Sequence, residues 1–129
     1  MRSAYLLVIA PLMPGACEFD RVGKQALPQA FIGSETRLTA IDIVEITVSV
    51  ARPRPGALEA YGDCVGAQYA LIRGVEYARP ITRFSARSGN ADILVETTSY
   101  LLSDLAPTGT ALRADQIVAD CRSRNIPTV

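Results

Sequence analysis

Apolar and polar residues alternate strictly along "IDIVEITVSV", Ile41–Val50. Val44, Ile46, Val48 and Val50 fall on one side, and Glu45, Thr47 and Ser49 on the other. A period of two marks a strand with one buried face. Pro53, Pro55 and Gly56 then close the segment to both strand and helix. From Ala57 to Gly74 the period changes. Leu58, Tyr61, Val65 and Ile72 recur at helical spacing, with Cys64, Ala67 and Leu71 beside them. Gly74 supplies a stop, and Arg73 suits the negative end of the helix dipole. Gly62 and Gly66 stand four apart in this helix, at a cost of about 1 kcal/mol each relative to Ala. Beside Glu59, Asp63 and Arg73, that spacing implies close approach to a sheet rather than pairing within a membrane.

Alternation returns in "VEYARPITRF", Val75–Phe84, where Pro80 implies an edge position or a bulge. Gly89-Asn90 marks a reversal. "ADILVETTSYLL", Ala91–Leu102, is β-rich and completes a hairpin with the preceding strand. The pattern over 111–121 allows either helix or strand. A strand through Ile117-Val118-Ala119 is favoured because a fourth strand would widen the sheet enough to cover the helix. The expected fold is α+β, one helix packed on a small, mostly antiparallel sheet in the order β-α-β-β-β. Residues 17–36 contain Gly23, Pro28 and Gly33 without a clear period, and read as a tether ahead of a single domain at 37–129.

The first residues need a separate reading. The apolar run Ala4–Met13 is about half of what a membrane helix requires, and Pro11 and Pro14 interrupt its end. Arg2, that run and Pro14-Gly15-Ala16 match the three regions of an export signal over residues 1–16. An ordinary buried N-terminal segment is the alternative. The cysteine that follows, Cys17, makes the stretch resemble a bacterial lipoprotein signal, in which that cysteine is lipidated and becomes the new N-terminus. Gly15 and Ala16 match the family pattern, whereas Pro14 stands where Leu, Val or Ile is usual. Glu18 in place of the Asp that retains such proteins at the inner membrane implies the outer membrane. The resemblance therefore implies a palmitate-bearing lipoprotein facing the periplasm.

Composition narrows the chemistry. The 129 residues suit one domain. Charge is balanced at 13 basic against 13 acidic residues, which argues against nucleic acid as a partner. Aromatics are 6% of the chain and Trp is absent, so the core must be aliphatic. His is absent as well, which removes the commonest general base, the Ser-His and Cys-His pairs and most catalytic zinc sites. No cofactor or metal site is expected. Of three cysteines, assigning Cys17 to lipid leaves Cys64 and Cys121 as a pair. A disulfide between them would persist in an oxidising compartment. Two buried free thiols are the other reading.

The segment "YGDCVGAQYALIRGVEYARPITR", with "VADCRSRNIPTV" near the end, resembles a group of small, uncharacterised exported proteins and lipoproteins of alphaproteobacteria. Tyr61, Cys64, Tyr69–Gly74, Tyr77–Arg79, Cys121 and Ile126–Val129 carry the likeness. It implies an exported α+β domain and brings no activity, substrate or catalytic residue with it.

Among side chains able to act, Asp42, Glu45, Glu59, Asp63, Glu76, Asp92 and Glu96 supply carboxylates for a two-acid hydrolase, although solvated surface is the commoner fate of such residues. Arg73 and Arg79 flank the helix end and the next strand, placed to meet a sugar or peptide carboxylate or to pair with local acids. Tyr61, Tyr69 and Tyr77 read as core or interface aromatics. The expectation is a non-enzymatic envelope lipoprotein, held at a membrane by its lipid and contacting a protein or cell-wall component. A soluble periplasmic ligand-binding module is the alternative, and a small carboxylate-dependent hydrolase a more distant one.

Overall fold

A computed structural model describes residues 27–90, 92–106 and 112–128. The element order is β1 (Ala30–Ala40), β2 (Ile43–Ala51), α1 (Ala57–Ile72), β3 (Tyr77–Arg87), β4 (Ile93–Ser103) and α2 (Ala114–Ser123). The strands form one antiparallel sheet in the order β1-β2-β4-β3. β2 and β3 therefore run parallel with β4 between them, and α1 is the crossover of a split β-α-β unit.

The α+β class, the helix on an antiparallel sheet and the disulfide are all present. The element order differs from β-α-β-β-β at both ends. Strand begins at Ala30, inside the stretch expected as a tether up to Thr36. β1 hides its period because an extra residue enters between Phe31 and Gly33, and a second shift lies between Leu38 and Ala40. It is also an exposed edge, so its sequence lacks the apolar face that betrays a half-buried strand. Cys17 and the whole of residues 1–16 lie outside the described residues.

The segment favoured as a fourth strand is a helix, α2. Ala114, Val118 and Cys121 are its buried residues, four and three apart on one face. The backbone N–H of Arg113 donates to Gln116 Oε1 at 3.0 Å, closing the first turn. At the other end Asn125 takes a left-handed conformation (φ 57°). Ile126 N–H then donates to Cys121 O at 2.9 Å and Asn125 N–H to Arg122 O at 3.2 Å. This is a Schellman ending, and Ile126 is tucked under it, 9% exposed. α1 ends the same way. Gly74 (φ 78°) is the left-handed residue, with Val75 N–H on Ala70 O and Gly74 N–H on Leu71 O. The glycine stop read from the sequence is in place.

α1 covers one face of the sheet, and α2 packs against α1. Val44, Ile46, Val48 and Val50 of β2 are each at most 1% exposed. Burying each contributes about 1.5–3 kcal/mol. Tyr100 and Leu102 of β4 sit beside them, below Leu58, Tyr61, Val65, Ala67 and Ala70 of α1. Phe31 meets Tyr61 edge to face, ring centres 5.0 Å apart. Tyr61 is thus a core aromatic, while Tyr69 and Tyr77 stay half-buried. Pro80 lies in an edge strand, and a register shift follows it at Ile81. The opposite face of the sheet has no helix on it among the described residues. There Thr47 and Thr97 pair through their hydroxyls at 3.0 Å.

Candidate functional site

Glu59 and Asp63 are one helical turn apart, so α1 presents both carboxylates on the same side. Arg83 of β3 reaches up to them. Its Nη1 lies 2.7 Å from Glu59 Oε1 and its Nη2 2.8 Å from Asp63 Oδ1. The same guanidinium has its Nε 3.6 Å from Glu96 Oε1 on the neighbouring strand β4. Ser85 donates to the other Glu96 oxygen at 3.1 Å. Glu96 is 7% exposed, and its Oε1 accepts no hydrogen bond. A planar cation with five donors is the side chain suited to serving three acids from one position.

Tyr100 completes the cluster from β4. Its hydroxyl donates to Asp63 Oδ1 at 2.6 Å and accepts from Arg83 Nη2 at 3.3 Å. The tyrosine fits because α1 carries glycine where it crosses. A Cβ at Gly62 would stand 3.1 Å from the Tyr100 hydroxyl oxygen, and one at Gly66 3.3 Å from three carbons of the ring. The small residues read as a close approach of helix to sheet serve that purpose.

Electrostatics follow from burial and neighbours. Burial pushes the Tyr100 hydroxyl far above its ordinary range, Asp63 pushes it the same way, and Arg83 opposes both less strongly. Tyr100 is therefore a neutral donor at any physiological pH. For Arg83, burial works against the charge, but Asp63, Tyr100 and Glu96 together outweigh it and raise its pKa. The cluster locks α1, β3 and β4 into one register.

On its solvent side the cluster forms one wall of a groove between α1 and α2, about 390 Å³ in volume. Glu59 and Asp63 stand on the α1 side, and Asp120 and Arg124 on the α2 side. Asp120 and Arg124 pair at 3.0 Å. The groove is also lined by Ala60, Ile117, Leu112 and the Cys64–Cys121 disulfide. This bridge ties α1 to α2 across 57 residues, with the two Cα atoms 6.0 Å apart. The groove thus offers an apolar lining with a charged rim, the usual make-up of a binding cleft.

The two arginines singled out from the sequence do not share a site. Arg73 caps α1, where its guanidinium lies 6.0 Å from the centre of the Tyr69 ring and donates to Ile41 O at 3.5 Å. Arg79 is exposed and in register with Leu101, on the sheet face away from the helices. Of the carboxylates weighed, only Glu59, Asp63 and Glu96 converge, and sequence reasoning missed the Arg83 that gathers them. One signal was available. Glu59 and Asp63 stand i, i+4 in the predicted helix, a spacing that invites a single cation. The bulge at Ile81 hid the cation's facing, because it shifts every later β3 side chain to the opposite side. Among the described residues no three His, Cys, Asp or Glu side chains are grouped to hold a metal ion.

The molecule is thus a disulfide-bridged α+β domain built on a split β-α-β unit, with a groove between its helices. The model of the YNQ4 C-terminal domain matches residues 31–125, from β1 through the last helix, and the chain belongs to that family. No curated protein and no solved structure matches the chain.

Proposed function

We propose that this chain is an exported lipoprotein of the cell envelope, anchored through Cys17 and acting by binding rather than by catalysis. The observation that carries the proposal is the Cys64–Cys121 bridge. Disulfides persist in the periplasm and are rare in the cytosol. The bridge also uses two of the three cysteines and leaves Cys17, behind its apolar run, as the odd one. Glu18 favours the outer membrane as the site of anchoring. The non-catalytic part of the proposal rests on Arg83, which already engages both Glu59 and Asp63 at the groove. Their charge is committed to holding the rim in shape. The partner of the groove is then an envelope protein or a cell-wall component with an apolar segment and a polar flank.

A second reading is a soluble periplasmic ligand-binding module, favoured by the groove's volume and lining. Labelled palmitate separates the two. The lipoprotein reading expects incorporation into the wild-type chain in a bacterial host, lost in Cys17→Ala, with the wild type in the membrane fraction. Incorporation that survives Cys17→Ala, or a chain that stays soluble and unlabelled, overturns it.

A further inference from the structure

We propose that β1 is a self-pairing edge, through which two copies of this chain join their sheets antiparallel about a two-fold axis at Thr36. Among the described residues β1 bonds to β2 on one side and to no strand on the other. Its outer row of N–H and C=O groups is a template for another strand. The other edge, β3, is guarded by Pro80 and the bulge at Ile81. β1 has its own irregularities, but they frame an uninterrupted stretch from Gly33 to Leu38.

The register follows from facing and charge. Residues paired across an antiparallel ladder share a face, so a two-fold pairing joins residues of equal parity. Within the regular stretch, an axis at Glu35 sets Glu35 against its own copy, and an axis at Arg37 does the same for Arg37. Both place like charges directly opposite. An axis at Thr36 sets Glu35 of each copy against Arg37 of the other, with Ser34 against Leu38 and Thr36 against Thr36. That ladder of Ser34–Leu38 fits wholly between the two irregularities.

Other observations agree. The Arg37 side chain is 74% exposed and lies 3.4 Å from Glu45, its cross-strand neighbour. The second copy's Glu35 would extend that pair into a row of Glu, Arg and Glu across the joined sheets. Thr36 and Leu38 are on the helix side of the sheet yet exposed, so the helices stop short of this part of β1. The second edge has room on both faces.

The occupant is a second copy because the charges are complementary to themselves. The test uses the full-length chain carrying Cys17→Ser, so that neither a lipid nor a free native thiol contributes. Failure of this proposal is thereby separate from failure of the anchor reading. Sedimentation equilibrium is expected to show a reversible dimer. Glu35→Arg alone, or Arg37→Glu alone, should weaken it at least roughly tenfold, since each turns two attractive cross-strand pairs into repulsive ones. The combined Glu35→Arg/Arg37→Glu chain should associate more tightly than either single reversal, because the two cross-copy pairs are restored although the pair with Glu45 is lost. Thr36→Cys in the same background should form a covalent dimer under mild oxidation. A monomer throughout, association indifferent to either reversal, or a combined variant that stays weak would each overturn the proposal.

Discussion

The Tyr100 hydroxyl lies 2.6 Å from Asp63 Oδ1, so the largest fully buried side chain of the core also fixes the acid that fronts the groove. Core and rim are one construction. Whatever loosens the tyrosine reaches the groove, and whatever removes the cation beside it reaches the core.

The first consequence concerns Arg83. Replacing it by Met keeps much of the volume and deletes the charge that faces Glu59, Asp63 and the buried Glu96. The acids are then left together without a counter-ion. The expected loss is about 2–4 kcal/mol, short of the full cost of breaking a buried pair because the cluster is open to solvent on the Glu59 side. Urea denaturation should show a lower midpoint with an unchanged slope. Arg83→Lys should recover only part, since an ammonium cannot fork to two carboxylates.

Gly66→Ala should destabilise the protein although alanine is the better helix former. The propensity gain is about 1 kcal/mol, whereas the new Cβ would stand 3.3 Å from the Tyr100 ring, and overpacking of this kind costs about 1–3 kcal/mol. Gly62→Ala meets the Tyr100 hydroxyl instead, at 3.1 Å. Its cost should therefore shrink in a Tyr100→Phe background while that of Gly66→Ala persists. A double-mutant cycle for each pair, read by thermal or urea unfolding, separates the two.

The pH dependence has a different cause at each end. Tyr100 holds its proton more tightly folded than unfolded. Its contribution is present in full below the unfolded value of about 10 and is lost as pH rises beyond it. Alkaline difference spectroscopy should find Tyr100 ionising only together with unfolding. At the acid end, the hydrogen bond from Arg113 is the main cause holding the exposed Asp115 carboxyl below its ordinary value. The stability it gives is present above the unfolded value of about 3.9 and is lost as pH falls through the folded one. NMR titration of Asp115 should show a low midpoint that rises in Arg113→Ala.

Legibility in the sequence tracked burial. β2 was readable because its inward residues Val44, Ile46, Val48 and Val50 are all aliphatic and Glu45, Thr47 and Ser49 between them are polar. α1 was readable because a helical stripe ends in a glycine. β1 was not, since an edge strand open on both sides needs no apolar face and the extra Ile32 breaks its period. The pattern of 111–121 allows either helix or strand, and strand is favoured only to widen a sheet of three strands, a need that β1 meets instead. The deciding signals were Ala114, Val118 and Cys121, at helical spacing on one face, and Asn125, able to close a Schellman ending. At the site, the two acids of α1 could be paired from their spacing alone. Arg83 could not be joined to them, because Pro80 allows an edge position or a bulge without fixing where the period slips, and so leaves the facing of Arg83 open.

The bridge ties together the two helices that form the groove, so it should matter to stability as well as to compartment. On the chain-entropy account, closing 57 residues removes about 4 kcal/mol of freedom from the unfolded state. Reduction, or Cys64→Ala with Cys121→Ala, should lower the urea midpoint accordingly.

The most direct test of the account is the intact mass of the native polypeptide, measured with and without reductant before alkylation. The account predicts an N-terminus at Cys17 bearing lipid, with Cys64 and Cys121 alkylated only after reduction. A polypeptide that keeps Met1 and whose two downstream sulfurs are alkylated without reductant would contradict it.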